Sequence, residues 1–378
     1  MNASCKAYDA ASRSARALKW GTTFPGPNKS LENGDQKVLK ARALKAVANN
    51  GYAEAAVQSW LTNMIASGVY PTSETKKKKH KKQIQKLANK WFKTCGSNGE
   101  SLGALQWLAL GSAVTTGECL GRFRYRRILD RLPVPLQIQL MEGDHLDDVP
   151  YKYWGKNRIK LGIEIDRLDR RVAYHLTREH PSDADFYNKH ERVRVPAKDM
   201  VHLYDKKRPG QMRGVTWLSS ILVVLFEIDE KETADNVRRK FNSLITAFIE
   251  DSGIVPTDNT QKLDEDGNPV DEDDEEFLAD DIEPGAQILV PNGKKVTLSK
   301  PAESDPTDEA WLKAQLRKAA AGVGLQAHQI TKDLTQVNYS SIRAGLIEFR
   351  RLCEALLKHF FIEQFCTPIW NKFMDTSV

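Results

Sequence analysis

Apolar residues recur at Trp217, Ile221, Leu225 and Ile228, and again at Val237, Phe241, Leu244 and Phe248, the spacing that lays one apolar stripe along a helix. A polar belt over 227–235 separates the two stripes, and neither Pro nor Gly occurs over 215–251. The pattern predicts a single helix of roughly 50 Å at about 1.5 Å per residue. Such a helix is longer than most globular ones and suits a strut that crosses a large assembly. A compact turn, Arg208-Pro209-Gly210-Gln211-Met212-Arg213-Gly214, leads into it.

Elsewhere the period is shorter-lived. Residues 8–20 are small and basic and read as an extended arm, followed by a Gly/Pro/Asn loop. Helices are expected over 35–49 and 52–67, parted by the cap and turn signal Asn49-Asn50-Gly51. Ile84, Leu87, Trp91 and Phe92 again fall at helical spacing. From 121 to 205 the pattern shifts to short strand-like pieces, clearest at 136–141, 159–165 and 172–176. Residues 162–166 and 172–176 should pair around Leu168-Asp169-Arg170-Arg171, giving an antiparallel β module. Beyond the long helix, Asp251-Ser252-Gly253 is a stop, and 287–290 with 294–298 form an expected hairpin across Pro291-Asn292-Gly293. Asp305-Pro306, with Asp308 in the first turn, starts a helix that should run to about 321. Gly322-Val323-Gly324 ends it, and 325–338 reads as a polar loop. A last long helix is expected from 340 to about 373, with a kink at Pro368.

Composition narrows the class. A chain of 378 residues can bury a real core and accommodates two or three domains. Its net charge of +6 is mild for that length and does not itself announce a nucleic-acid binder. Five cysteines lie far apart with no C-x-x-C pair, which indicates neither a disulfide framework nor a zinc cluster and suits a reducing, intracellular origin. No apolar leader core and no run of about 18 apolar residues is present, so neither common secretion nor a membrane span is expected.

Candidate chemistry is local. The run Lys76, Lys77, Lys78, Lys79, Lys81 and Lys82 precedes a helical pattern. Cations at a helix N-terminus oppose the macrodipole, so the run should sit in a solvated loop or against a polyanion such as nucleic acid. The acidic tract from Asp264 to Asp281 is read as solvated and self-repelling, with a nuclease metal site as the sharper alternative. Histidines 175, 180, 190 and 202 show no standard ligand spacing, no phosphate-binding glycine motif or nucleophile elbow appears, and no metal or cofactor is expected.

Several strings, taken in order across nearly the whole chain, resemble the lambda-type portal proteins of tailed bacteriophages. They include Tyr8-Asp9-Ala10-Ala11, Ala41-Arg42-Ala43-Leu44, Asn49-Asn50-Gly51-Tyr52, Gly162-Ile163-Glu164, Ala173-Tyr174-His175, the 208–214 turn, Ala319-Ala320-Ala321-Gly322-Val323-Gly324 and Tyr339-Ser340-Ser341-Ile342-Arg343-Ala344. The resemblance implies an α+β subunit with a helical and β wing, a two-helix stem, a small α/β clip and a long C-terminal helix, assembled as a ring, most often a dodecamer. On this chain it implies an arm over 1–34, a wing over 35–215, stem helices over 216–251 and 305–324, a clip over 252–304, a channel or tunnel loop over 325–338 and a wing helix over 339–378, with a crown short or absent.

The same resemblance implies a structural, non-enzymatic protein of the capsid portal vertex, in the host cytoplasm during assembly. Its partners would be its own copies, double-stranded DNA, the terminase large subunit, capsid and scaffold proteins and a head-completion adaptor, with no membrane. A conduit must touch DNA weakly, because tight phosphate neutralisation would stop its movement. Glu227, Asp229 and Glu230 are therefore candidates for a negative channel belt, the alternative being ion pairs with Lys231, Arg238, Arg239 or Lys240. Lys332, Gln336 and Asn338 are candidates for transient contact in the tunnel loop. A DNA-binding scaffold using the lysine run is the rival reading, with a metal-dependent nuclease after it.

Overall fold

The computed structural model describes residues 23–32, 34–146, 153–183, 192–244, 248–251, 294–297, 306–335 and 339–377. These fall into two units, Met1–Leu225 with Leu316–Val378, and Phe226–Gln315. The expected arm over 8–20, the acidic tract and the 287–290 half of the expected hairpin lie outside the described residues.

In the larger unit, helices α1 (Asp35–Asn49) and α2 (Gly51–Met64) meet at Asn50, which ends the first and caps the second. Its side-chain oxygen accepts from the backbone N–H of Tyr52 and Ala53, both at 3.0 Å, satisfying donors that a helix start otherwise orphans. Helices α3 (Lys78–Trp91) and α4 (Leu102–Thr115) follow. The second was not legible as a separate element. Its residues Leu102–Thr115 are apolar nearly all round, so no stripe marks it, and its burial against strand β1 (Glu118–Tyr125) explains that pattern.

The β region is two sheets rather than one module. Strands β1 (Glu118–Tyr125) and β2 (Leu136–Glu142) pair, and β8 (Met200–Tyr204) flanks β1 on its other edge. The second sheet runs in order through β3 (Tyr153–Trp154), β4 (Asn157–Lys160), β5 (Ile163–Ile165), β6 (Arg171–Thr177) and β7 (Arg192–Pro196), antiparallel throughout. The β5–β6 hairpin is the one predicted around Leu168 to Arg171. Leu120, Ile163, Tyr174, Leu176 and Val195 share one core between the sheets.

The long helix is shorter than its periodicity predicts. A 3-10 turn, Trp217–Ser220, precedes α5 (Leu222–Leu244), which spans about 34 Å. Residues Phe248–Asp251 then form strand β9, paired antiparallel with β10 (Lys294–Thr297). Apolar spacing alone does not separate a helix end from a strand; the register, with Asp251 opposite Lys294 and Glu250 opposite Lys295, shows the distant partner that diverts the chain.

Helix α6 (Pro306–Gly322) starts and stops as predicted. The segment expected to be a plain loop carries a short helix, α7 (Ala327–Thr331), closed by Lys332 at φ 59°. The C-terminal helix runs as α8 (Tyr339–Leu356), a π-helical stretch (Leu357–Cys366) and α9 (Thr367–Ser377). Pro368 lies just past the π stretch, in the first turn of α9. The π stretch places Phe360, Phe361 and Phe365 in the core.

Two tryptophans join these remote segments. Trp60 of α2 meets Trp217 edge-on at 5.0 Å and Phe349 of α8 at 5.4 Å, and its indole N–H donates to the Val323 carbonyl at 3.2 Å. Trp91 of α3 donates to Leu136 O at 2.7 Å and packs on Phe373 at 5.0 Å. Among the described residues no helix is long and apolar enough to cross a membrane.

Candidate functional site

The 208–214 turn, the entry to α5, is secured by side chains from distant parts of the larger unit. Glu118 of β1 is fully buried. Its carboxylate accepts from Arg213 Nε at 2.9 and 3.0 Å, from Gln36 Nε2 at 3.2 Å and from the Gly214 N–H at 3.2 Å. Gln36 also donates to Gly214 O at 2.8 Å, and Arg213 Nη2 to Gly143 O at 2.7 Å. Above this layer, Tyr204 donates to Gln211 O at 2.9 Å, Arg171 donates to Met212 O at 3.2 Å and to the Tyr204 hydroxyl, and Asn28 brackets the turn through Gly210 O and the Met212 N–H, both at 3.0 Å. Gly143 supplies the clearance: a Cβ there would run into the Glu118 side chain.

The protonation states follow from these contacts. Burial alone would push the Glu118 carboxyl up, but the Arg213 charge and the hydrogen bonds from His202 and Arg213 leave it well below the ordinary carboxylate range. Burial pushes His202 down to about 4 against its bond to Glu118. A neutral ring fits its neighbours: Nε2 donates to Glu118 at 3.1 Å and Nδ1 accepts from Arg171 at 3.3 Å. The network is therefore one carboxylate, one neutral imidazole and two guanidiniums.

A second knot of the same design sits in the five-stranded sheet. Glu164 accepts from Arg194 at 2.7 and 3.1 Å and from Asn157 at 2.6 Å, with His175 Nε2 at 3.2 Å. Opposing burial, these bonds bring its carboxyl down to about 2. Both knots saturate their carboxylates, so neither offers a free base. Burial pushes the thiols of Cys95, Cys119 and Cys366 up to about 12 and that of Cys353 to about 11, which keeps them protonated and poor nucleophiles.

Among the described residues the fold brings together one set of possible metal ligands that spacing did not reveal, Glu142, Asp144 and His180. His180 Nε2 lies 3.8 Å from Glu142 Oε2 and 3.7 Å from Asp144 Oδ2. The buried Lys40 ammonium already stands 3.1 Å from Asp144 Oδ1 and supplies countercharge where a divalent ion would have to sit. The arrangement is read as an ion-pair cluster.

The residues singled out from sequence are placed as follows. Glu227, Asp229 and Glu230 are exposed on α5 around the buried Ile228. At about 100° per residue, Glu227 and Glu230 share a face while Asp229 points away from it, so the three form a belt rather than one stripe. Lys231 bonds Asp235 at 2.9 Å and Asp308 of α6 at 2.7 Å, tying α5 to α6 within the smaller unit. Lys332 reaches Ser59 Oγ at 3.3 Å; Gln336 and Asn338 lie outside the described residues. Lys76, Lys77, Lys78, Lys79, Lys81 and Lys82 are all exposed, but the helix begins at Lys78, with Lys77 as its N-cap. The run was expected in a loop; instead most of it forms the first turns of α3, because the apolar face completed by Ala88 and Trp91 outweighs the unfavourable dipole.

Glu118 and Arg171 were missed. The only hint of Glu118 is an isolated acid in the apolar run Gly117-Glu118-Cys119-Leu120.

Antiparallel sheets flanked by helices, with a long helix entered through a clamped turn, make a mixed helix-and-sheet subunit, and the sequence comparison gives its class. The model of the phage portal proteins of the lambda family matches residues 13–356, and the chain belongs to that family. The probable portal protein of Halomonas phage phiHAP-1 is 27% identical over 360 residues, spanning 91% of this chain and 67% of that one. Among solved structures, a chain from the neck of a native gene transfer agent particle computed with C12 symmetry matches with a TM-score of 0.49 at 14% identity, covering 90% of this chain and 81% of that one. A chain from the virion of the native gene transfer agent matches at 0.47 and 13%, covering 88% and 79%. The family assignment rests on the sequence match.

Proposed function

We propose that the protein is the portal of a tailed phage or prophage: a homo-oligomeric ring at one capsid vertex, most often a dodecamer in this family, through which double-stranded DNA is packaged and ejected. The observation that carries this reading is the family match over residues 13–356. The ring docks the terminase large subunit on the packaging side and a head-completion adaptor afterwards, and it meets capsid and scaffold proteins through its rim. It acts structurally, with ATP hydrolysis left to the terminase.

The wing comprises 35–215, the stem 216–251 and 305–324, and the clip 252–304, with the channel loop at 325–338 and the last wing helix at 339–378. Two features of the smaller unit support a stem that leads to a clip. Strands β9 and β10 pair, closing the ends of the intervening segment against one another, and Lys231 ties α5 to α6. The clamped 208–214 turn fixes the chain within the larger unit where the wing ends. Glu227 and Glu230 form the DNA-facing part of the acidic belt, which keeps the duplex weakly held.

Negative-stain electron microscopy with mass determination on the same sample tests the assembly. Rings with a central hole and a mass near a dozen subunits are expected; a compact monomer or dimer at high concentration overturns the reading. Replacing Glu227 and Glu230 by Lys should stall packaging in an infected-cell assay, and unchanged packaging removes the belt from the channel.

A further inference from the structure

Helix α3 carries lysine at Lys78, Lys82, Lys86 and Lys90, a strict four-residue step, and Lys93 follows just past its end. All five are exposed. Lys82, Lys86, Lys90 and Lys93 border one shallow, open depression together with Gln85 and Asn89. No Asp or Glu occurs between Glu74 and Glu100, and among the described residues none of these lysines has an ion-pair partner. The opposite face is rigidly seated through Trp91, so the ladder is displayed on a fixed rod.

We infer that this ladder is a docking surface for the phosphate backbone of double-stranded DNA outside the portal channel. Four residues of helix advance about 6 Å, so Lys78 to Lys90 spans about 18 Å, a length over which one strand of a duplex presents about five phosphates at 3.4 Å each. Lysine is a point charge without the planar fork of arginine, which suits backbone contact that reads no sequence. The face between the lysines is polar, with Gln85 and Asn89 and no exposed aromatic anchor of the kind that carries protein interfaces. Like charges at a four-residue step, and cations in the first turn, both disfavour the helix. A polyanion lying along the face removes both penalties at once.

In placing the contact outside a channel the inference rests on the ring reading, and the test separates the failure of one from the failure of the other. Purified protein is titrated with covalently closed circular duplex DNA, which has no end to thread through a closed ring, across a series of salt concentrations. The partner variant carries Lys78→Gln, Lys82→Gln, Lys86→Gln and Lys90→Gln, with circular dichroism checking that the helix is retained. The wild type should bind the circle, and the variant should lower the slope of log K against log salt by about 3 to 4, near 0.9 per lost phosphate contact. An unchanged slope overturns the inference, as does binding of linear DNA alone, which would leave contact to the channel. Competition by polyglutamate equal to duplex, charge for charge, also overturns it and assigns the face to an acidic protein.

Discussion

The Glu118 knot and the lysine face of α3 handle charge in opposite ways. In the knot one carboxylate is fully buried and meets Arg213, His202, Gln36 and a backbone N–H; on α3 a column of cations stands in water with no acid in its own helix. A buried charge is tolerable only when its partners are already in place, whereas an exposed one costs little and remains available. The first arrangement therefore reads as architecture and the second as a surface waiting for a partner.

The sharpest way to break this contrast is Glu118→Gln. It leaves Arg213 buried without its counterion and should cost about 3–5 kcal/mol of unfolding free energy, measured by urea denaturation; a loss below about 1 kcal/mol would mean that the knot is not what clamps the turn. Acid should reach the same place. His202 titrates near 4 in the folded protein against an ordinary imidazole value of 6.5, so the unfolded chain takes up the proton first. The stability this contributes is complete above pH 6.5 and is lost as pH falls toward 4, about 3 kcal/mol in all. His202→Asn should flatten that part of the pH profile. Gly143→Ala places a Cβ against the Glu118 side chain and should cost about 1–3 kcal/mol through overpacking, seen as a lower urea midpoint. Last comes the fourfold lysine-to-glutamine variant of α3, which should move stability by about 0.5 kcal/mol or less. A large loss would show that the lysines are part of the packing.

Much of the architecture was legible because its causes are local. Asn50 punctuates two helices, Pro306 opens α6, and the alternation around Leu168 to Arg171 makes a hairpin. The failures share a cause that is not local. Helix α4 was hidden because burial makes it apolar all round, and the end of α5 was missed because strand β9 owes its existence to a partner more than 40 residues away. The lysine run was assigned to a loop because dipole and repulsion were weighed without the tertiary seat that Trp91 provides.

The candidate residues divide along the same line. Glu227, Asp229, Glu230 and the lysines could be picked out because exposed charge is written directly in composition and spacing. Arg213 was visible as part of a family turn, but Glu118, 95 positions away in sequence, was not. By itself the sequence determined the helical and strand segments with local caps and turns, the family, and the charge pattern along the surface. Only the tertiary structure decided which charges are buried and matched, since that depends on side chains brought together from α1, β1, β8 and the 208–214 turn, and no period in the chain encodes their meeting.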